Sequence, residues 1–174
     1  EIFFQYSYET WKPEEYGSFD LTRGYLNLFG NIAKNVRVRI TPDISRMDKG
    51  ELTYIDGSGQ TQKVGGNAVN LAGSLAFRLK YAFLNIDTFG TWATLNLGMI
   101  KTPWLDFEHT INRYRVQGSM MVDREGYLKS ADLGFGVFGR DPIGYFEYDF
   151  AVINGEGFAA AEPNKFKDFT LRLT

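Results

Sequence analysis

The sequence predicts an all-β fold: an antiparallel transmembrane β-barrel, about eight strands of which lie in this chain. Three observations predict it. Apolar and polar residues alternate with period two through almost the whole chain, the pattern of strands with one apolar face. The connections between the alternating stretches are long and short in turn, as expected of barrels with brief turns at one rim and longer loops at the other. One stripe of strands three to eight carries essentially no ionised side chain, whereas the opposite stripe is charged.

The first strand covers 1–11, with Ile2, Phe4, Tyr6 and Tyr8 on one face and Gln5, Ser7 and Glu9 on the other. The turn-rich 12–18 leads to a second strand over 19–32. It sets Leu26, Leu28 and Ile32 against Arg23, Asn27 and Asn31, although its first residues are out of phase. Residues 33–35 make a tight connection. In the third strand, Val36, Val38 and Ile40 then alternate with Arg37, Arg39, Thr41 and Asp43. The polar, glycine-rich stretch 46–70, with Asp56-Gly57-Ser58-Gly59 at its centre, reads as a projecting hairpin.

The fourth strand is the longest. It runs near 71–86, with Leu71, Gly73, Leu75, Phe77, Leu79, Tyr81 and Phe83 opposite Ser74, Ala76, Arg78, Lys80 and Ala82, a length that could cross a bilayer. After the turn at 87–91, Ala93, Leu95, Leu97 and Met99 alternate with Thr94, Asn96 and Gly98 in the fifth strand, which ends at Lys101-Thr102-Pro103. Residues 101–130 break the alternation over a long stretch of mixed charge, a length that favours a functional loop. Leu133, Phe135 and Val137 form the sixth strand against Asp132, Gly134 and Gly136. Beyond the short turn 140–143, Phe146, Tyr148, Phe150 and Val152 form the seventh against Tyr145, Glu147, Asp149 and Ala151. Residues 155–165 make another long loop. Phe169, Leu171 and Leu173 against Asp168, Thr170 and Arg172 complete the eighth strand.

Composition narrows the function classes. Nineteen Lys and Arg against 21 Asp and Glu leave a net charge of −2, which gives no field for nucleic acid or another polyanion. A run of about 18 apolar residues is absent, which excludes a membrane-spanning helix and leaves a strand barrel open; the mean hydropathy of −0.26 is compatible with that. Glu1 opens directly into strand-like sequence with no leader, as expected of the mature form of an exported protein, and the lack of cysteine fits export. A soluble barrel or sandwich with the same alternation would turn its apolar stripe inward. Strand length, aromatic content and the uncharged apolar stripe favour the membrane, with Leu75, Phe77 and Leu97 toward lipid and Ser74 and Thr94 on the other side. Trp11, Tyr81, Trp104, Tyr145 and Tyr148 are then expected near the membrane boundaries.

Four stretches, Leu95-Asn96-Leu97-Gly98-Met99-Ile100-Lys101-Thr102-Pro103, Leu133-Gly134-Phe135-Gly136-Val137-Phe138-Gly139, Ala151-Val152-Ile153-Asn154-Gly155-Glu156-Gly157 and Lys167-Asp168-Phe169-Thr170-Leu171-Arg172-Leu173, resemble in order and spacing the phosphate-selective porin O/P family. The resemblance covers 70–174. It implies a trimeric barrel of about sixteen strands, of which this chain is the N-terminal half, with the third outer loop folded into the lumen. Residues 101–130 are that loop by count. The family's anion filter does not map residue by residue onto this sequence, so phosphate selectivity does not carry over.

Within such a barrel, charges at a narrow point of low dielectric set ion preference. The expected pore-lining residues are Arg23, Arg37, Arg39, Arg78, Lys80, Glu147, Asp149 and Arg172. The expected constriction-loop residues are Asp106, Glu108, Arg113, Arg115, Arg124 and Lys129, with Asp123 and Glu125 also opposing the basic groups; Trp104, Leu105, Phe107, Met120 and Met121 would anchor the loop to the wall. These features lead to the expectation of a water-filled diffusion channel for small hydrophilic solutes or ions, anion-preferring, in a Gram-negative outer membrane. Its partners would be membrane lipid, lipopolysaccharide and two further copies in a homotrimer. A barrel sheath around a partner protein such as a multihaem cytochrome is the alternative. An enzyme is not expected: His109 is the single histidine, and no Gly-x-Ser-x-Gly accompanies it. No metal-ligand spacing or phosphate-cradling loop occurs, and no cofactor is expected.

Overall fold

The structure, a computed structural model, describes residues 2–9, 16–46, 53–55, 60–63, 74–90, 92–114, 118–160 and 162–174. The strands are β1 Ile2–Glu9, β2 Tyr16–Tyr25, β3 Leu28–Ala33, β4 Val36–Arg46, β5 Thr53–Ile55, β6 Thr61–Lys63, β7 Leu75–Asp87, β8 Thr94–Lys101, β9 Ala131–Arg140, β10 Glu147–Ile153 and β11 Asp168–Leu173. Two helices, α1 Pro103–Ile111 and α2 Met121–Arg124, lie between β8 and β9. The fold is all-β, with an antiparallel sheet in the order β1-β2-β4-β7-β8-β9-β10-β11, and β3 paired to β4. β5 and β6 pair separately. Among the described residues β1 and β11 are not paired with each other, so the sheet is open, and no helix is long and apolar enough to cross a membrane.

The chain forms two compact units. In the first, residues 1–25 and 43–78, β1 and β2 form a hairpin whose register shifts between Phe3 and Phe4. Tyr6 and Phe19, opposite each other, pack with tilted rings, centroids 4.8 Å apart. The β5–β6 pairing, Thr53 with Lys63 through Ile55 with Thr61, gives the hairpin expected in 46–70; its central 56–59 lie outside the described residues.

In the second unit, residues 26–42 and 79–174, β3 and β4 are joined by the tight turn at Lys34 and Asn35. The sequence predicts one strand over 19–32; the structure breaks it at Leu26 and Asn27. Pro42 on β4 explains the break. It has no N–H to donate to the neighbouring strand, and the Leu26 N–H to Pro42 carbonyl bond, 3.3 Å, spans that point. The Asn27 side chain turns inward and accepts from Thr41 and Arg39 instead.

The fourth predicted strand needs a correction. Leu75, Phe77 and Leu79 are exposed, but Tyr81 and Phe83, expected on the same lipid-facing stripe, are each only 7% exposed and belong to the core. The alternation slips by one residue around Lys80, itself buried with its ammonium 5.4 Å from the Phe158 ring centroid. Beyond the slip the apolar stripe continues on the half-buried Leu84 and Ile86, paired with Leu97 and Leu95. Tyr81 is therefore an interior residue rather than a boundary ring.

From β7 to β11 the register stacks side chains into rungs, because residues directly opposite share a face. One face holds Leu84-Leu97-Phe135-Val152-Phe169 and Ile86-Leu95-Val137-Phe150-Leu171. The other holds Asn85-Asn96-Gly136-Ala151-Thr170 and Asp87-Thr94-Phe138-Asp149-Arg172. Gly98 is required on this sheet: its φ is +120°, and a Cβ there would strike the Ala82 carbonyl oxygen.

Candidate functional site

The polar face of the second unit is covered by α1, which the sequence did not predict. Pro103 at its first position has the φ a helix start needs, and Asp106 in the first turn suits the helix dipole. α1 packs against β10 and β11. Leu105 is fully buried and Met120 nearly so, while Phe107 lies beneath the Arg172 guanidinium, 5.0 Å from its carbon to the ring centroid. Of the expected anchors, Trp104 and Met121 remain exposed. Thr102, at the helix entry, donates its hydroxyl hydrogen to the Lys129 carbonyl and so ties the two ends of the loop together.

Two cavities open on this face. One, about 500 Å³, is lined by Arg37, Arg39, Asn85, Asn96, Lys101, Asp106, Asp149 and Arg172 with the rings of Phe29, Phe83 and Phe138. The other, about 560 Å³, is lined by Arg37, Asp87, Thr94, Arg140, Glu147, Tyr148 and Arg172, again with Phe138. Arg37, Phe138 and Arg172 thus belong to both.

The charges are paired locally. Arg37 donates to Asp87 Oδ1 at 2.7 Å, and Thr94 Oγ1 reaches the same oxygen at 3.0 Å. Lys101 Nζ lies 2.7 Å from Asp106 Oδ1. Arg39 donates to Asn27 Oδ1 at 2.8 Å and Thr41 Oγ1 at 3.0 Å, and lies over the rings of Phe29 and Tyr81. Asp149 sits opposite Arg172 in register, with Asp106 and Lys101 as further charged neighbours.

Of the residues expected to line a lumen, the structure gathers Arg37, Arg39, Asp149 and Arg172 on the first cavity, joined by Asp106 from the loop; Glu147 lines the second. Lys80 lines neither and is buried against aromatic rings. Arg23, over the Tyr25 ring, and Arg78, paired with buried Asp43 at 2.9 Å, belong to the other unit. Among the described residues, the cations expected at the constriction, Arg113, Arg124 and Lys129, do not line these two cavities. Arg113 is exposed, Arg124 pairs with neighbouring Glu125, and Lys129 lies 3.9 Å from Asp123. Glu108 is half-buried on α1, and Arg115 lies outside the described residues.

Lys101, Asp87, Arg140, Asn85 and Asn96 were not foreseen. Lys101 and Asp87 sit at strand ends that read as turns, and the slip in β7 hid the phase of Asn85. Asp132, which alternation put on the charged stripe, is buried: its carboxylate accepts from the N–H groups of Leu133, Gly155 and Gly157 at 2.7, 2.6 and 3.1 Å. Its role is to pin the loop after β10. Among the described residues no group of three or more His, Cys, Asp or Glu could hold a metal ion. No protein-family model, curated protein or solved structure matches the chain significantly.

Proposed function

We propose that this chain forms part of the wall of an outer-membrane diffusion channel, with the apolar face of its second unit against lipid and the α1-covered face toward a hydrated lumen. One observation carries this reading. In a soluble sandwich or barrel the apolar face is buried and the charged face meets solvent; here the order is reversed. Phe169, Leu171 and Leu173 are 72%, 63% and 68% exposed on the uncharged face, while guanidinium, carboxylate and amide groups surround the cavities on the other. Such an apolar face costs little against hydrocarbon and is an aggregation hazard in water. α1 then acts as the constricting element, with the Lys101–Asp106 pair beside Asp149 and Arg172. The mixed-sign lining suits small hydrophilic solutes, the location is the outer membrane of a Gram-negative bacterium, and lipopolysaccharide and further copies in a trimer are its neighbours.

The test is reconstitution of the protein containing this chain into liposomes and planar bilayers. Discrete conductance steps and swelling in small-solute media are expected. A protein that stays soluble and monomeric without detergent, and leaves bilayers silent, would sink the reading.

A further inference from the structure

The larger cavity, about 560 Å³, carries two opposite charges that the protein itself leaves unmatched. Arg140 ends β9 and Glu147 begins β10; they stand directly opposite in register, on the face that holds Phe138 and Asp149. Both residues are exposed. Among the described residues neither side chain forms an ion pair or a hydrogen bond, not even with the other. The remaining polar groups of the lining are engaged. Arg37 pairs with Asp87 Oδ1, which Thr94 also reaches. Arg172 faces Asp149 across β10 and β11 and donates to Thr174, and the Tyr148 hydroxyl donates to the Trp92 carbonyl at 2.5 Å. Phe138, with Gly90 and Gly139, completes the wall. What this cavity offers a visitor is one accessible guanidinium, one accessible carboxylate and an aromatic surface.

Charge complementarity decides what fits. An inorganic anion can use Arg140 but meets like charge at Glu147 and Asp87; a simple cation can use Glu147 but meets the guanidiniums of Arg37, Arg140 and Arg172. A neutral solute gains from neither free charge. A molecule with one carboxylate and one ammonium answers both, because the carboxylate takes the forked donors of Arg140 while the ammonium donates to Glu147. Directly opposed residues of neighbouring strands stand about 5 Å apart at Cβ, so the two ends of that molecule must be close together. An α-amino acid joins them through a single carbon. The volume falls in the roughly 300–1,000 Å³ range of small-molecule sites, which leaves space for a side chain against Phe138. We infer that this cavity is a binding station for a free α-amino acid in its zwitterionic form, with its carboxylate on Arg140 and its ammonium on Glu147. The inference deepens the channel reading by naming a solute class and rests on that reading for its biological setting, although binding at the station needs no transport to be observed.

The experiment titrates the protein containing this chain, folded in detergent micelles, with L-alanine, acetate, ethylammonium and inorganic phosphate at constant ionic strength, read by calorimetry and by saturation transfer from protein to ligand protons. Saturable L-alanine binding is expected, with acetate and ethylammonium each about tenfold or more weaker, since each keeps only one of the two charge-assisted contacts. Arg140→Gln and Glu147→Gln should each weaken L-alanine binding by a similar factor. The exchanged pair, Arg140→Glu plus Glu147→Arg, keeps both charges on the rung and should restore most of it, which a loss through misfolding would not do. Absence of saturable L-alanine binding, phosphate or acetate binding as tightly as L-alanine, or folded single variants with unchanged affinity would overturn the station. The comparison of the four probes on the unaltered chain decides the matter even if a variant does not fold. Liposome swelling, run in parallel, separates the two ideas: binding without permeation leaves the station standing and removes the channel, and permeation without saturable binding does the reverse.

Discussion

Lys101 Nζ lies 2.7 Å from Asp106 Oδ1, so the last residue of β8 is tied to the first turn of α1 by an ion pair over the chain's own bend. Both side chains are about a third exposed, at 32% and 38%. A pair this wet contributes at most about 1 kcal/mol to stability; its consequence is to hold α1 in one place. Lys101→Met should therefore leave the unfolding midpoint nearly unchanged while broadening the distribution of single-channel conductances. A sharp conductance distribution identical to that of the parent chain would show that α1 does not depend on the pair.

The uncharged rungs give a prediction about assembly. Leu97→Arg or Leu171→Arg should cost roughly 2–4 kcal/mol if these positions lie near the bilayer midplane. The same charge introduced as Asn96→Lys, one position along β8 on the cavity face, should be tolerated. Folding yield into lipid vesicles, read by heat-modifiable electrophoretic mobility, checks this. Equal yields for Leu97→Arg and Asn96→Lys would mean that the exposed face does not meet lipid.

Arg172 lines both cavities, so removing its charge should alter passage through each. Arg172→Glu is expected to move the reversal potential toward cation preference. Because the effect is electrostatic, it should shrink between roughly 0.1 M and 1 M salt, as the screening length falls from about 10 to 3 Å. A reversal potential indifferent to the substitution at low salt would place Arg172 away from the ion path.

Asp132 offers a test independent of membranes and solutes. Asp132→Ala strips three backbone N–H groups of their acceptor, in a buried setting, and should destabilise the fold by roughly 1–3 kcal/mol. Urea midpoints would report the loss. Amide exchange at Gly155 and Gly157 should accelerate more than exchange in β8. Unchanged protection at those two glycines would show that the loop is held by something else.

Sequence alone makes the strands legible because alternation is local: each residue's face depends on its parity within the strand, whatever packs on top. Hence the strands along the sheet path follow the predicted order, except that the predicted 19–32 divides into β2 and β3. The slip in β7 was not legible, because Lys80 is buried under Phe158, a residue of a distant loop. The break before β3 could have been anticipated, since Pro42 stands in an otherwise regular strand and Phe19 to Tyr25 were visibly out of phase with Leu26 to Ile32. α1 carried its own signal in Thr102-Pro103 and Asp106, obscured by the mixed charge of the stretch around it. The cavity was half legible, since its arginines follow from parity; the separate role of Asp132 depends on a loop that returns to it only in three dimensions.

Arg37, Phe138 and Arg172 form a common wall, whereas Asp106 and Lys101 belong to one cavity and Arg140 and Glu147 to the other. That division governs how the chain can be altered by mutation. A change at Asp106 or at Arg140 can retune one compartment while its neighbour keeps its shape, so selection can explore each separately. Any change in the common wall is felt twice, and a variant that gains in one compartment there is exposed to loss in the other. Diversification in laboratory evolution should accordingly accumulate first at the outer ends of the path, with Phe138 among the last positions to move.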